Sequence, residues 1–285
     1  MTAFVSAVID KVLACFPDSL QVLIGGQGLK ARVARGSLWI GAGSSVEQGL
    51  RFARNIFLAH LLAPEAFGVL AIILAFHIFF EALTDISVET SILQNPSAEE
   101  QTFLNGVWFL SVGRSVVLYI LALIVAPWVA WFYENPAITP LMWVAFLSIP
   151  LNGLKSPRAY IAQKKLDFRR SVSINQGGAI CGILTACALA FVMQDVWSLV
   201  IGFTVESAAR TLLSHLICPF RPGLTFERKH LQSLFSYTKR TIGLPILAFA
   251  FAQADIFVIG KLLPPAELGI YSMALSLAQI PFSFL

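Results

Sequence analysis

Leu61-Leu62-Ala63-Pro64-Glu65-Ala66-Phe67-Gly68 is the stretch on which the fold turns, because the chain writes nearly the same thing again at Leu262-Leu263-Pro264-Pro265-Ala266-Glu267-Leu268-Gly269. Each copy follows a long apolar run and opens another. Proline fixes φ, and its missing N–H is not needed in the first turn of a helix, so Pro64 and Pro265 mark helix starts. Each copy therefore reads as the bend of a helical hairpin, and the stretch is a repeat.

Composition sets the solvent. The 285 residues are 57% hydrophobic and 13% charged, with a mean hydropathy of +0.76, whereas about 25% of the residues of a soluble domain are charged. An apolar helix needs ~20 residues to cross a bilayer core. Eight stretches approach or exceed that length, at roughly 38–62, 66–87, 103–131, 138–155, 172–193, 196–219, 237–263 and 266–285. The expected fold class is all-α, a polytopic transmembrane helix bundle of about eight spans.

Charge placement gives orientation. With the amino terminus in the cytoplasm, that side holds Lys11, Lys30, Arg32 and Arg35, then Lys155, Arg158, Lys164, Lys165, Arg169 and Arg170, then Arg221, Arg228, Lys229, Lys239 and Arg240. The other side holds Lys261, a fifteen-to-one bias that fits the positive-inside rule. The net charge of +4 is thus a matter of topology, and no nucleic-acid partner is expected. The outer loops are short, Gln194-Asp195 among them, and leave no room for an external catalytic domain. Cys15, Cys181, Cys187 and Cys218 form no CxxC pair, so neither a disulfide framework nor a metal site follows, and no cofactor is expected.

Four segments result: 1–35, a cytoplasmic or interfacial extension; 36–220, a six-helix bundle; 221–240, a basic cytoplasmic linker; and 241–285, the first two helices of a second bundle. The extension makes a poor signal peptide, since Asp10 and Lys11 interrupt its apolar run and Pro17 breaks it. It reads either as an interfacial helix or as the product of a start codon assigned too far upstream. Leu224, Phe226, Leu231, Leu234 and Phe235 make the linker amphipathic, suited to anionic membrane lipid, with contact to glycan or assembly proteins as the alternative. The two repeat copies sit six helices apart and on the same side, which relates the bundles by an axis along the membrane normal.

Several stretches carry a family resemblance. Gly36-Ser37-Leu38-Trp39, the first repeat copy, the segment Ala159-Tyr160-Ile161-Ala162-Gln163-Lys164-Lys165-Leu166-Asp167-Phe168-Arg169-Arg170, Val196-Trp197-Ser198-Leu199-Val200 and Asp255-Ile256-Phe257-Val258-Ile259-Gly260-Lys261 follow one another in order. Together they resemble the bacterial polysaccharide and O-antigen flippases of the multidrug/oligosaccharidyl-lipid/polysaccharide exporter superfamily. The resemblance implies a non-enzymatic transporter in the bacterial inner membrane that turns an undecaprenyl-diphosphate-linked oligosaccharide from the inner to the outer leaflet. Polysaccharide assembly proteins are a further partner class it allows. It also implies two six-helix bundles, so a chain that stops within its eighth span is expected to be a fragment. Drug or lipid II export within the same superfamily, and an integral-membrane glycan ligase or polymerase, are the competing functions.

Moving a diphosphate past hydrocarbon calls for a cationic lumen, and arginine binds phosphate oxygens in a two-pronged way. Arg51, Arg54, Arg114 and Arg210 fall within spans and are the substrate-binding candidates. Glu47 precedes Arg51 by four residues and Glu206 precedes Arg210 by four, so self-neutralised pairs are an equal reading for those two arginines. Asp255 occupies the position in the second copy that Arg54 holds in the first, and the two could pair as a gate between bundles. Glu81 and Asp85 share a face of the second span and are candidates for proton coupling, with capping and solvation as the plainer account. His60, His77 and His215 lack ligand spacing and read as structural, and Gly178 and Gly182 form a GxxxG pair that suggests close helix packing.

Overall fold

In the computed structural model, residues 29–83, 92–93, 98–223 and 243–279 are described. They form helices α1 (Leu29–Leu61), α2 (Pro64–Leu83), α3 (Gln101–Phe132), α4 (Ile138–Ala145), α5 (Ser148–Gly153), α6 (Arg158–Lys164), α7 (Phe168–Met193), α8 (Val196–Ile217), α9 (Gly243–Leu262) and α10 (Pro265–Ala278). The described residues carry helices and connecting turns, and the all-α bundle expected from hydropathy is what they build.

Segments Pro64–Ala82, Gln101–Phe132, Phe168–Met193 and Val196–Ile217 are each long and apolar enough to cross a membrane. Their outward faces are apolar: Val117, Ile124, Leu184, Val192 and Leu216 are all exposed, as are Trp128 and Trp131 near the end of α3. Such a surface is incompatible with water and suited to acyl chains, with tryptophans at the interfacial level. The chain is a multi-pass membrane protein.

The fourth expected span is broken. Pro150 has no N–H to give to the carbonyl of Phe146 and its ring would crowd that group in a continuous helix. Ile149 N–H takes the carbonyl instead, at 2.9 Å, and the chain turns between α4 and α5. The segment following, expected as a loop, coils into α6 before Leu166 reverses it with a left-handed φ of 61°. Between α7 and α8 the turn is as short as its sequence suggests: Gln194 adopts the left-handed conformation and the Asp195 carboxylate caps α8 by accepting from Val196 N–H at 2.6 Å.

Close packing of α7 on α8 depends on glycine. A Cβ at Gly182 would lie 2.5 Å from Cβ of Glu206, one at Gly202 would lie 2.6 Å from Cβ of Ala186, and one at Gly178 would collide with the Arg210 side chain. The GxxxG pair does what its spacing suggests. Opposite this pair, α2 packs against both α9 and α10. Their shared core includes Ile72, Phe80, Met142, Phe146, Ile256 and Leu268.

The two repeat copies fold alike and then meet. Leu62 N–H bonds the Leu58 carbonyl at 2.9 Å, and the equivalent Leu263 N–H bonds Ile259 at 2.8 Å. Ala66 N–H bonds Ala63 and Glu267 N–H bonds Pro264, both at 3.0 Å. A Cβ at Gly68 would collide with the Pro265 carbonyl oxygen and lie 3.1 Å from Gly269 N; one at Gly269 would collide with the Pro64 carbonyl oxygen and lie 3.1 Å from Gly68 N. The contact is reciprocal, atom for atom, and so has local two-fold character.

Candidate functional site

The expected i,i+4 pairs are both present, but they are interlocked. Arg51 Nη2 lies 2.9 Å from Glu47 Oε1 and 2.7 Å from Glu206 Oε1. Arg210 Nη2 lies 2.6 Å from the same Glu206 oxygen and 3.4 Å from the same Glu47 oxygen. One network of two cations and two anions therefore clamps α1 to α8. Gln176 of α7 joins it, donating to Glu47 Oε2 at 3.3 Å and to the Gly43 carbonyl at 2.7 Å. Glu206 is 5% exposed, a depth at which a carboxylate needs partners. The Gly178 and Gly182 surfaces that admit α8 so closely also make room for the Glu206 and Arg210 side chains. Arg51 and Arg210, two of the four substrate-binding candidates, thus have the geometry of the self-neutralised alternative.

Arg54 differs. Its Nε and Nη2 donate to the Asn55 side-chain oxygen at 3.3 and 3.1 Å, and among the described residues it has no carboxylate within ion-pair distance. The expected pairing with Asp255 is not made in this structure. Asp255 instead accepts from the Tyr271 hydroxyl at 2.5 Å, which ties α9 to α10, and from Ile256 N–H at 2.9 Å. Contact between the copies at this level comes from Asn55, which donates to Ser276 Oγ at 3.4 Å.

Arg114 is placed by α3 against the end of α2, where its Nη2 donates to the Glu81 backbone carbonyl at 2.9 Å. The Glu81 side chain is 44% exposed and lies 3.8 Å from His77 Nδ1. Asp85 lies outside the described residues, as do residues 224–240 of the expected linker and residues 1–28 of the expected extension. The three histidines are hydrogen-bonded within the bundle: His60 to the Ile56 carbonyl at 2.8 Å, His77 to Ser148 Oγ at 2.7 Å and His215 to the Leu154 carbonyl at 2.9 Å.

Sequence reasoning passed over Lys155, which it used only for orientation. Its five basic neighbours along the chain are engaged. Lys165 pairs with Glu99 at 2.9 Å and Arg170 with Asp167 at 3.0 Å. Arg158 donates to the Pro219 carbonyl and Lys164 to that of Ile92, while Arg169 lies over the Trp39 ring at 5.5 Å. The Lys155 ammonium has no hydrogen bond or ion pair among the described residues, although its backbone is firmly held. Thr211 donates to the Leu151 carbonyl at 2.6 Å, His215 bonds that of Leu154, and Ser156 donates to Cys218. Burial, with a smaller contribution from the Arg210 guanidinium, pulls the ammonium down to about 8, against the opposing pull of Glu81 and Glu206. The signal that could have found it is Pro150 five residues earlier, which ends the span early and turns Lys155 beneath α8.

Beside a charge-neutral network, then, Arg54 on α1 and Lys155 on the turn after α5 stand without an ion pair among the described residues. This arrangement can hold an anion without covalent chemistry.

Residues 57–285 match the model of a family described as polysaccharide biosynthesis protein. The chain is 23% identical over 258 residues to the lipopolysaccharide biosynthesis protein WzxC of Escherichia coli strain K12, covering 89% of this chain and 52% of that protein. It is 25% identical over 234 residues to the succinoglycan biosynthesis transport protein ExoT of Rhizobium meliloti strain 1021, covering 82% and 47%. To the teichuronic acid biosynthesis protein TuaB of Bacillus subtilis strain 168 it is 20% identical over 206 residues, covering 72% and 42%. The chain spans about half the length of these curated relatives. No solved structure matches it. With four-fifths of its length matched by one family model, the chain belongs to the polysaccharide biosynthesis protein family.

Proposed function

We propose that the protein moves a lipid-linked oligosaccharide, carried on undecaprenyl diphosphate, from the inner to the outer leaflet of the bacterial inner membrane, as a transporter and not an enzyme. The observation that carries this reading is that Arg54 and Lys155 lack an ion pair among the described residues, beside a network that neutralises Arg51 and Arg210. A diphosphate leaving water must find charge and donors inside the protein, or desolvation stops it. The family and its relatives, one of them named a transport protein, agree with such a cargo.

In this reading Arg54 and Lys155 receive the diphosphate, while Glu47, Arg51, Glu206 and Arg210 fix the α1–α8 angle that sets their separation. Arg114 supports the site from α3. Glu81 and Asp85 are the proposed coupling groups, and the amino terminus lies in the cytoplasm.

The test is a strain lacking the gene. Undecaprenyl-diphosphate glycan should accumulate on its inner leaflet, and the intact gene should clear it while an Arg54→Gln form should not. Full clearance by Arg54→Gln together with Lys155→Met would defeat the assignment of those residues, and no accumulation in the deletion strain would defeat the function.

A further inference from the structure

His77 is 5% exposed and lies where α2 meets both the break in the fourth span and α8. Its ring stands edge-on to Phe146 at 5.7 Å and to Phe203 at 5.2 Å, and its Nε2 lies 2.7 Å from Ser148 Oγ. Which ring nitrogen carries hydrogen follows from the next bond along. Ser148 Oγ lies 2.6 Å from the Ala145 carbonyl oxygen, a separation that requires a hydrogen between them, and a carbonyl only accepts. The one hydroxyl hydrogen therefore goes to Ala145. Ser148 has lone pairs alone to offer the ring, so His77 Nε2–H is the donor to it.

That leaves Nδ1 of the neutral imidazole with a lone pair. Facing it at 3.8 Å is Glu81 Oε2, one turn further along α2. An ionised carboxylate also only accepts, and 3.8 Å is too long for a hydrogen bond. One added proton turns this pair of facing acceptors into a donor and an acceptor, whichever of the two holds it. The charge-assisted bond so formed is ~2.7–2.9 Å long. Glu81, 44% exposed, is the group free to close the gap, because the ring is held by Ser148 and packed against two phenylalanines.

The surroundings favour a proton over a metal ion. Glu81 is the charged group that acts on the ring; α4 and α5 present Phe146 and Ser148 to it, and α8 presents Phe203. Helix α9 meets α2 through Phe249 and Phe257. One carboxylate and one imidazole nitrogen are too few ligands for a metal, and no group of three or more His, Cys, Asp or Glu side chains occurs among the described residues. On its other side Glu81 has two cations: Arg114 of α3 donates to its backbone carbonyl, and its carboxylate acts on the Lys155 ammonium.

We propose that His77 Nδ1 and the Glu81 carboxylate form a proton-binding site, sharing one proton, and that its occupancy tunes the hold of Lys155 on the diphosphate. The link to the diphosphate rests on the transport reading above and deepens it, by naming the coupling ion and the atoms that take it. Proton uptake removes the negative charge that offsets Lys155, so the proton and the diphosphate each raise the affinity for the other.

The test uses the intact gene product in nanodiscs, with histidine labelled by 15N. At pH 8 the His77 ring, identified by its loss in His77→Gln, should be neutral with hydrogen on Nε2, and its Nδ1 signal should move upfield by pH 5. In Glu81→Gln the amide N–H supplies the donor permanently, so that signal should already be shifted at pH 8 and hold its place to pH 5. His77→Gln keeps a donor for Ser148 without titrating. From pH 7 to pH 5, below the range in which Lys155 loses its charge, wild type should gain about three- to tenfold in affinity for undecaprenyl diphosphate relative to His77→Gln. Ionisation of the lipid itself cancels in that ratio. Hydrogen on Nδ1 of the neutral ring, an Nδ1 signal unmoved down to pH 5, or one that moves equally in Glu81→Gln overturns the proton site. A flat affinity ratio overturns the link to the diphosphate and leaves the transport reading standing. If wild type binds no undecaprenyl diphosphate at either pH, the transport reading falls and the link with it, while the ring signal still decides the proton site.

Discussion

The two copies of the Leu-Leu-x-Pro bend share a backbone and differ in everything charged. Their turn hydrogen bonds agree to within 0.1 Å, and each glycine meets the other copy's proline carbonyl. About two to four turns back along the preceding helices the likeness ends. Glu47 and Arg51 of the first copy correspond to Ala248 and Ala252 of the second, and Arg54 corresponds to Asp255. The ion network of α1 and α8 therefore has no counterpart on α9. What the difference teaches is a division of labour: the bend supplies geometry to both halves, while the first copy carries a four-charge network on α8 and the second holds its helix by single contacts, Asp255 with Tyr271 and Lys261 with Glu134.

The largest effect should come from disturbing what the copies share. Gly68→Leu sets a side chain against a backbone carbonyl that cannot swing aside, so destabilisation should be at least about 3 kcal/mol, at or beyond the top of the usual overpacking range. Gly269→Leu should match it in thermal unfolding of the intact protein, because each glycine faces the same groups. A mild effect at one position with a severe one at the other would break the symmetry argued above.

Next comes the feature found in one copy. Glu206→Gln removes the buried negative charge that Arg51 and Arg210 share and leaves Glu47 as their one carboxylate. Removing one partner of a fully buried pair costs about 3–5 kcal/mol. Both arginines retain some solvent contact, at 31% and 23% side-chain exposure, so the loss should lie near or below the lower end, read as a fall in unfolding midpoint. The charge-free positions Ala248 and Ala252 should tolerate Ser with little change.

A smaller effect should follow pH. The Lys155 ammonium is held near 8, below the ordinary 10.5, so its charge is present at pH 7 and mostly lost by pH 9. Affinity for undecaprenyl diphosphate should fall by about tenfold over that interval. Lys155→Arg should abolish the pH dependence and Lys155→Met should bind weakly throughout. Stability runs the other way: above about 8 the unfolded chain binds more protons here than the folded one, so the destabilisation caused by burying this ammonium, full below 8, is relieved as pH rises toward 10.5.

Least costly should be Tyr271→Leu, which makes the second copy resemble the first, where Leu70 occupies the equivalent position. Loss of its bond to Asp255 should cost about 1 kcal/mol, measured by denaturant unfolding.

Much of the architecture was legible because apolar length is a local property. The spans at 66–87, 103–131, 172–193 and 196–219 each have a helix over most of their length, and the Gln194-Asp195 turn and the glycine packing of α7 came from short signals. The break at Phe146 could have been read from Pro150 but was masked by the hydropathy around it. The candidate site was legible only in pieces. Glu47 with Arg51 and Glu206 with Arg210 were visible as i,i+4 pairs, yet their interlocking joins residues 155 apart in the chain, which no local pattern encodes. Arg54 and Asp255 occupy equivalent positions, but Tyr271 and Asn55 supply nearer partners than either offers the other. Gln176 drew no notice because a neutral amide has no spacing rule, and only the fold shows that its oxygen is left without a donor.

The reciprocal contact of Gly68 and Gly269 has a consequence for the history of the gene. After a duplication, two copies of a segment ordinarily drift independently, each under its own constraints. Here each copy forms the surface against which the other is judged, so a side chain gained by one is rejected by the unchanged backbone of its twin. A chain carrying only the first copy would present Gly68 and the Pro64 carbonyl as a self-complementary patch, the form an isologous contact between two identical subunits takes. The bend is thus a homodimer interface written twice into one polypeptide.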